Sequence, residues 1–124
     1  MKVLLSIKPE YALKILSGEK KFEFRKSIFK HPEVRTVIIY ATKPVGKVIG
    51  EFDIETILLA CPEIIWSKTK NFAGIRRKFF DQYFSGRDIA YAIEVKAARK
   101  YLEPLDLISL LPNNVPPQSF CYLT

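Results

Sequence analysis

Pro9-Glu10-Tyr11-Ala12-Leu13-Lys14-Ile15-Leu16-Ser17-Gly18 runs directly into Glu19-Lys20-Lys21-Phe22-Glu23-Phe24-Arg25, and the hydrophobic period changes between the two. In the first part Tyr11, Ala12, Ile15 and Leu16 share one helical face, with Leu13 flanking it. Pro9 suits a first helical turn, because the missing N–H would have no partner there, and Glu10 favours the positive end of the helix dipole. Gly18 fits the left-handed position that stops a helix. From Lys20 to Lys26 the period becomes two. Phe22 and Phe24 point one way, and Lys21, Glu23 and Arg25 the other, which reads as a half-buried strand with a charged face.

Short apolar runs on either side extend the pattern. Lys2 to Ile7 and Arg35 to Ala41 read as buried strands. Lys47 to Leu59 reads as one long or bent strand, in which Gly50 marks a bulge or a close approach. Pro62 opens a helix to about Lys70. Ile75 to Phe84 carries Ile75, Phe79, Phe80, Tyr83 and Phe84 in a helical stripe ended by Gly86, with Phe79 and Phe84 expected in the core. Arg87 to Tyr101 alternates as a strand, Pro104 to Pro117 is a proline-punctuated connection, and Gln118 to Leu123 reads as a last strand. The expected fold is α+β: a small, mostly antiparallel β-barrel of five or six strands with about three helices outside it, spanning residues 1–124 as one domain.

Lys and Arg number 20 against 13 Asp and Glu, a formal charge of +7 on 124 residues. A small basic chain with nine Phe and six Tyr raises the expectation of an anionic partner. The charge is concentrated. Residues 1–30 hold eight cations against three acids, and residues 67–80 hold Lys68, Lys70, Arg76, Arg77 and Lys78 with no acid. Two cysteines, Cys61 and Cys121, and one histidine, His31, leave a disulfide open but make a zinc site implausible, so no metal is expected. The opening apolar run stops at Lys8-Pro9, short of a signal segment, and no run approaches membrane-spanning length. A cytoplasmic protein without membrane contact is therefore expected.

The densest polar cluster is Gly18 to Arg25. Lys20, Lys21 and Arg25 around Glu23 suit a phosphate, with the carboxylate pairing Arg25 or meeting a base edge. They equally suit a solvated strand face with an intrastrand ion pair. This segment resembles the signature of the ASCH domain family, G-x-K-x-x-E-x-R, as Gly18, Lys20, Glu23 and Arg25. Ala41-Thr42-Lys43-Pro44 with Val48-Ile49-Gly50, Tyr83-Phe84-Ser85-Gly86, Ala90 to Val95 and Pro117-Gln118-Ser119-Phe120 resemble later blocks of the same family.

The resemblance implies a PUA-like barrel whose signature lines a cleft beside the first helix. It also implies nucleic-acid binding, in transcription coactivation or RNA metabolism. On that reading the partner is RNA, single-stranded or structured, or a nucleotide-like ligand, with no cofactor, and a monomer suffices. Lys20 and Arg25 would contact phosphate, supported by Lys8 and Lys21, with Glu23 orienting Arg25 or reading a base. Thr42 would line the cleft, and Arg76 and Arg77 would add phosphate contacts. Two branches of the family imply enzymes, with Lys20 and Glu23 as catalytic candidates. One resembles an N4-acetylcytidine amidohydrolase, although Glu23 stands where that branch has threonine. The other resembles a ribonuclease using a lysine, a tyrosine and a serine, for which Lys20 is available and Tyr40, Tyr91 and Ser119 are candidates. Gln118 and Ser119 suit either a base or backbone groups at a sheet edge, and Trp66 either packing or a base platform. His31 is expected in an exposed turn.

Overall fold

Alternation along β1 (Lys2–Ile7) sends Val3, Leu5 and Ile7 to one face of a sheet and Leu4 to the other. Both faces are covered, which is why the strand is almost continuously apolar. In the computed structural model, which describes residues 1–123, α1 (Pro9–Ser17) follows and packs Ala12 and Ile15 onto the first face. Its end is the expected one: Gly18 has φ 87° and returns its N–H to the Ile15 carbonyl at 3.2 Å.

The chain continues through β2 (Phe22–Arg25), β3 (Thr36–Ala41), β4 (Lys47–Ala60), α2 (Pro62–Thr69), α3 (Arg77–Tyr83), β5 (Ala90–Leu105) and β6 (Phe120–Leu123). A 3₁₀ turn at Lys70–Phe72 links α2 to α3, and another at Leu107–Ser109 lies between β5 and β6. The strands form one sheet in the order β2-β5-β4-β3-β1-β6, antiparallel throughout except for β1 against β3. The expected mostly antiparallel α+β architecture is present; closure into a barrel is not. Strands β2 and β6 are its two edges and share no ladder. Side chains span the region beside them: Arg25 at the end of β2 donates to the carbonyl of Ser6 on β1 (2.9 Å) and to that of Ser119, just ahead of β6 (3.5 Å). The Tyr122 hydroxyl accepts from the backbone N–H of Lys30 and of His31, at 3.0 and 3.2 Å.

Three apolar clusters stabilise the fold. One joins α1 to the sheet through Ile15, Val37, Ile39, Phe52 and Ile93. The second is the stack of α2 and α3 on β2 and β5, centred on Phe80, whose ring meets Phe24, Trp66 and Phe84 with centroids 4.9–5.1 Å apart. The third, Leu4, Ile38, Tyr40 and Val48, is covered by Leu107. Gly50 is the expected close approach: a Cβ there would come within 2.5 Å of the Arg99 carbonyl and 2.8 Å of Leu16 Cδ2, beside a register shift between β4 and β5. No helix among the described residues is long and apolar enough to cross a membrane.

Candidate functional site

The turn at Gly18 delivers Lys20 into the protein rather than to its surface. The Lys20 N–H is held by the Lys14 carbonyl at 3.0 Å, and the Lys21 N–H by the Phe72 carbonyl at 2.9 Å. The Lys20 side chain then runs inward and is 1% exposed. Its ammonium donates to the Ala73 carbonyl at 2.6 Å and lies 4.6 Å from the Phe24 ring centroid and 5.4 Å from that of Tyr11. Gly74 makes room for it. The residue has φ +70°, and a Cβ there would fall 2.5 Å from Lys20 Cβ and Cγ.

An ammonium removed from water holds its proton less tightly. Burial accordingly lowers the Lys20 pKa from 10.5 to about 8, outweighing the opposing pull of Glu23, and the charge of Lys14 adds to the decrease. About a tenth of the amine is neutral at pH 7 on that value. Glu23 is itself buried, 7% exposed, with Oε2 3.1 Å from Arg25 Nε. That approach is an ion pair without hydrogen-bond alignment, so Arg25 Nε is buried with no hydrogen-bond partner. The remaining guanidinium nitrogens of Arg25 go to Ser6 and Ser119. The residue therefore ties the end of β2 to β1 and to the segment ahead of β6 while it pairs with Glu23.

These groups lie in a cleft of about 420 Å³ between the N-terminus of α1 and α3. Lys8 and Tyr11 line it from α1, Glu23 and Phe24 from β2, and Phe79, Gln82 and Tyr83 from α3. Burial raises the pKa of both phenols, with the carboxylates of Glu10 and Glu23 adding to the effect at Tyr11, so both remain protonated hydrogen-bond donors at neutral pH. The walls are mostly apolar and aromatic, and a buried cation and a buried carboxylate lie among them. That is a suitable surface for a flat heteroaromatic ring with polar edges.

The cleft brings together Lys8, Lys20, Glu23 and Arg25. The other expected site residues lie elsewhere. Gly18 shapes the turn. Lys21 is exposed, its ammonium 4.3 Å from the Phe72 ring centroid. Thr42 follows β3, where its N–H bonds the Ile7 carbonyl at 3.0 Å. Arg76 is exposed just ahead of α3. Arg77 pairs with Asp81 and Glu63 and sits 5.5 Å from the Trp66 ring centroid. The charged strand face expected at Glu23 and Arg25 is corrected too: Glu23 is buried opposite Ile93 of the α1-side cluster, and Arg25 reaches across to Ser6 of β1, so those side chains are sequestered rather than solvated. Tyr40 is buried in the third cluster, Tyr91 lies on β5 opposite Arg25, and the Ser119 hydroxyl is 3.4 Å from that of Ser27.

Phe79 is a further correction. Expected in the core, it is 51% exposed, whereas Phe84 is buried. Helix α3 carries two aromatic pairs at i, i+4 spacing: Phe80 and Phe84 face the core, and Phe79 and Tyr83 face the cleft. The signal was present, since four aromatics in adjacent pairs are too many for one helical stripe. Tyr11, Gln82 and Gly74 also belong to the site and carried no comparable signal.

The ASCH domain profile matches residues 5–103. The ASCH domain-containing ribonuclease of Zymomonas mobilis is 32% identical over 123 residues, which is 97% of this chain and 82% of that protein. The crystal structure of ASCH from Zymomonas mobilis has a TM-score of 0.91 at 31% identity, covering 99% of this chain and 87% of that one. The large ribosomal subunit protein uL22 of Ureaplasma parvum is 35% identical over 106 residues, 85% of this chain, and this chain spans about a third (34%) of that protein's length. With most of its length matched by the profile and by a relative of similar size, this chain belongs to the ASCH domain family.

Proposed function

We propose that the domain binds single-stranded RNA in the cytoplasm and holds one unstacked nucleotide in the cleft. The observation that carries this reading is Lys20. An ammonium has three protons to donate, and Ala73 accepts one of them. The others, with the Glu23 carboxylate, are available to donors and acceptors on a base edge. Tyr11, Phe24, Phe79 and Tyr83 supply aromatic surface against which a base packs. Lys8 stands where α1 begins, and the first-turn N–H groups of that helix add to its attraction for a phosphate. Arg25 is a positioning residue in this reading, because its guanidinium is committed to Ser6, Ser119 and Glu23. Membership of the family, the ribonuclease named among the relatives and the excess of cations in residues 1–30 support an RNA ligand.

Titration of a labelled hexaribonucleotide at 50 and 200 mM salt tests it. Wild type is expected to bind at low salt and to weaken steeply with salt. Lys20→Met and Phe79→Ala should each lose about tenfold or more, since stacking on one aromatic contributes about 1–3 kcal/mol. No binding at 50 mM salt, or unchanged affinity in both variants, overturns the reading.

A second reading, cleavage of the bound RNA, is favoured by the lowered pKa of Lys20. A neutral amine at this position can take the proton of a 2′-hydroxyl as it attacks the adjacent phosphorus; the P–O5′ bond breaks, leaving a 2′,3′-cyclic phosphate, and the departing 5′-oxygen takes a proton from water. Wild type beside Lys20→Met on labelled RNA distinguishes them: cleavage that disappears in the variant adds catalysis to binding, and intact RNA with both proteins leaves binding alone.

A further inference from the structure

We infer that the rim of the cleft at Tyr83 is a second phosphate subsite, where Lys26 and Arg87 receive the phosphodiester leading to the neighbouring nucleotide. This rests on the RNA-binding reading and extends it from one nucleotide to a strand path.

Three observations converge on that rim. Lys26 directly follows Arg25 at the end of β2, is exposed, and places its ammonium 4.7 Å from the centroid of the Tyr83 ring, a ring that also lines the cleft. Arg87 leaves the turn at Gly86 that ends the α3 segment, four residues after Tyr83, anchored by its N–H to the Phe84 carbonyl at 2.9 Å. Neither cation has a carboxylate within 4.0 Å among the described residues, including Asp88 beside Arg87 and Asp81 on α3. Arg77, on the same helix as Tyr83, is in contrast tied to two carboxylates.

The chemistry follows from the shape of a nucleotide, which has one phosphate on each side of its sugar. With the base in the cleft and one phosphate at Lys8 on the α1 wall, a chain that leaves past the α3 wall passes Lys26 on the Tyr83 ring, with Arg87 four residues along the chain from Tyr83. Lys26 rests on an aromatic face, which holds the ammonium by an attraction weaker than a phosphate contact, so the ammonium can transfer to a phosphate as RNA arrives.

The test uses the full chain as wild type, Lys26→Ala/Arg87→Ala, and Lys26→Arg/Arg87→Lys. Each is titrated with the four ribonucleoside 5′-monophosphates and with a mixed-sequence hexaribonucleotide across a salt series. The alanine pair should leave monophosphate affinity within about twofold of wild type. It should weaken the hexamer about tenfold or more and lower the magnitude of its log–log salt slope by about 1.4, at about 0.7 per cation on a single strand. The charge-retaining pair should keep the wild-type slope. Hexamer affinity and slope unchanged in the alanine pair, while Lys20→Met still abolishes binding, overturns the rim subsite and leaves the cleft reading intact. Equal loss for monophosphates and hexamer also overturns it, because the rim would then be part of the first site. Wild type that binds neither ligand overturns both.

Discussion

A lysine ammonium buried among aromatics should make this protein more stable in mildly alkaline solution, and the size of that effect can be worked out. In the unfolded chain Lys20 releases its proton near 10.5, and in the folded protein at about 8. Below pH 8 the residue is charged in both states, and the folded state carries the whole cost of burying it. Between the two values the unfolded chain binds a proton that the folded one does not, so stability rises with pH at up to about 1.4 kcal/mol per pH unit. The full rise is about 3 kcal/mol, a large share of the roughly 5–15 kcal/mol that holds a domain together. Urea unfolding of wild type and Lys20→Met at pH 7, 8, 9 and 10 isolates it, because the methionine keeps an unbranched apolar stem and other titrating groups cancel in the difference. Wild type minus variant should increase by about 2–3 kcal/mol from pH 7 to 10. A flat difference would mean that Lys20 is hydrated in solution. A difference that falls would mean that Glu23 outweighs burial. Either result refutes the reasoning.

Gly74→Ala should cost about 2–5 kcal/mol, combining a left-handed backbone with a Cβ pressed against the Lys20 stem, whereas Gly18→Ala, with nothing within 4 Å of its Cβ, should cost only about 1–2 kcal/mol. At about 4 °C per kcal/mol for a chain of this length, calorimetry separates them, and equal Tm values would contradict the close approach. Arg25→Met should destabilise by about 3–5 kcal/mol by leaving the Glu23 carboxylate buried and unpaired, and Arg25→Met/Glu23→Gln should recover part of the loss. Denaturant midpoints check this, and a single variant within 1 kcal/mol of wild type would argue that Glu23 is neutral or hydrated. Phe80→Ala should cost about 3–5 kcal/mol and shift the emission of Trp66, the one tryptophan and a direct neighbour of that ring. Unchanged emission would place Trp66 outside the cluster.

Much of the local structure was legible because it is local. The helix through Ser17, its stop at Gly18 and the strand at Phe22 follow from periodicity within about fifteen residues, and Gly50 announced its crowding by interrupting an apolar strand. The burial of Lys20 was not legible. Its acceptor and the glycine that admits it are Ala73 and Gly74, on a segment more than fifty residues away, and no period along one strand encodes that neighbour. Arg25 is similar: its partners Ser6 and Ser119 lie at opposite ends of the sequence. Alternation says which side chains share a face, but not whether a distant segment will cover it. On β2 the face of Glu23 and Arg25 meets Ser6 of β1 and Ser119, both distant in sequence, which converts an expected solvated face into a sequestered ion pair. Open edges rather than a barrel were likewise invisible, since closure depends on whether β2 meets β6 through backbone or through side chains.

The Arg25 crossing also bears on association between molecules. A sheet with two free edges exposes unpaired N–H and C=O groups that invite strands from other copies of the chain. Here both edge strands have only four residues, and the guanidinium, the Ser27 and Ser119 hydroxyls and the Tyr122 phenol occupy the gap where an intruding strand would dock. The same arginine that lines the cleft thereby fills space at the sheet edge, so a variant that loosens it is expected to associate edge to edge more readily than wild type.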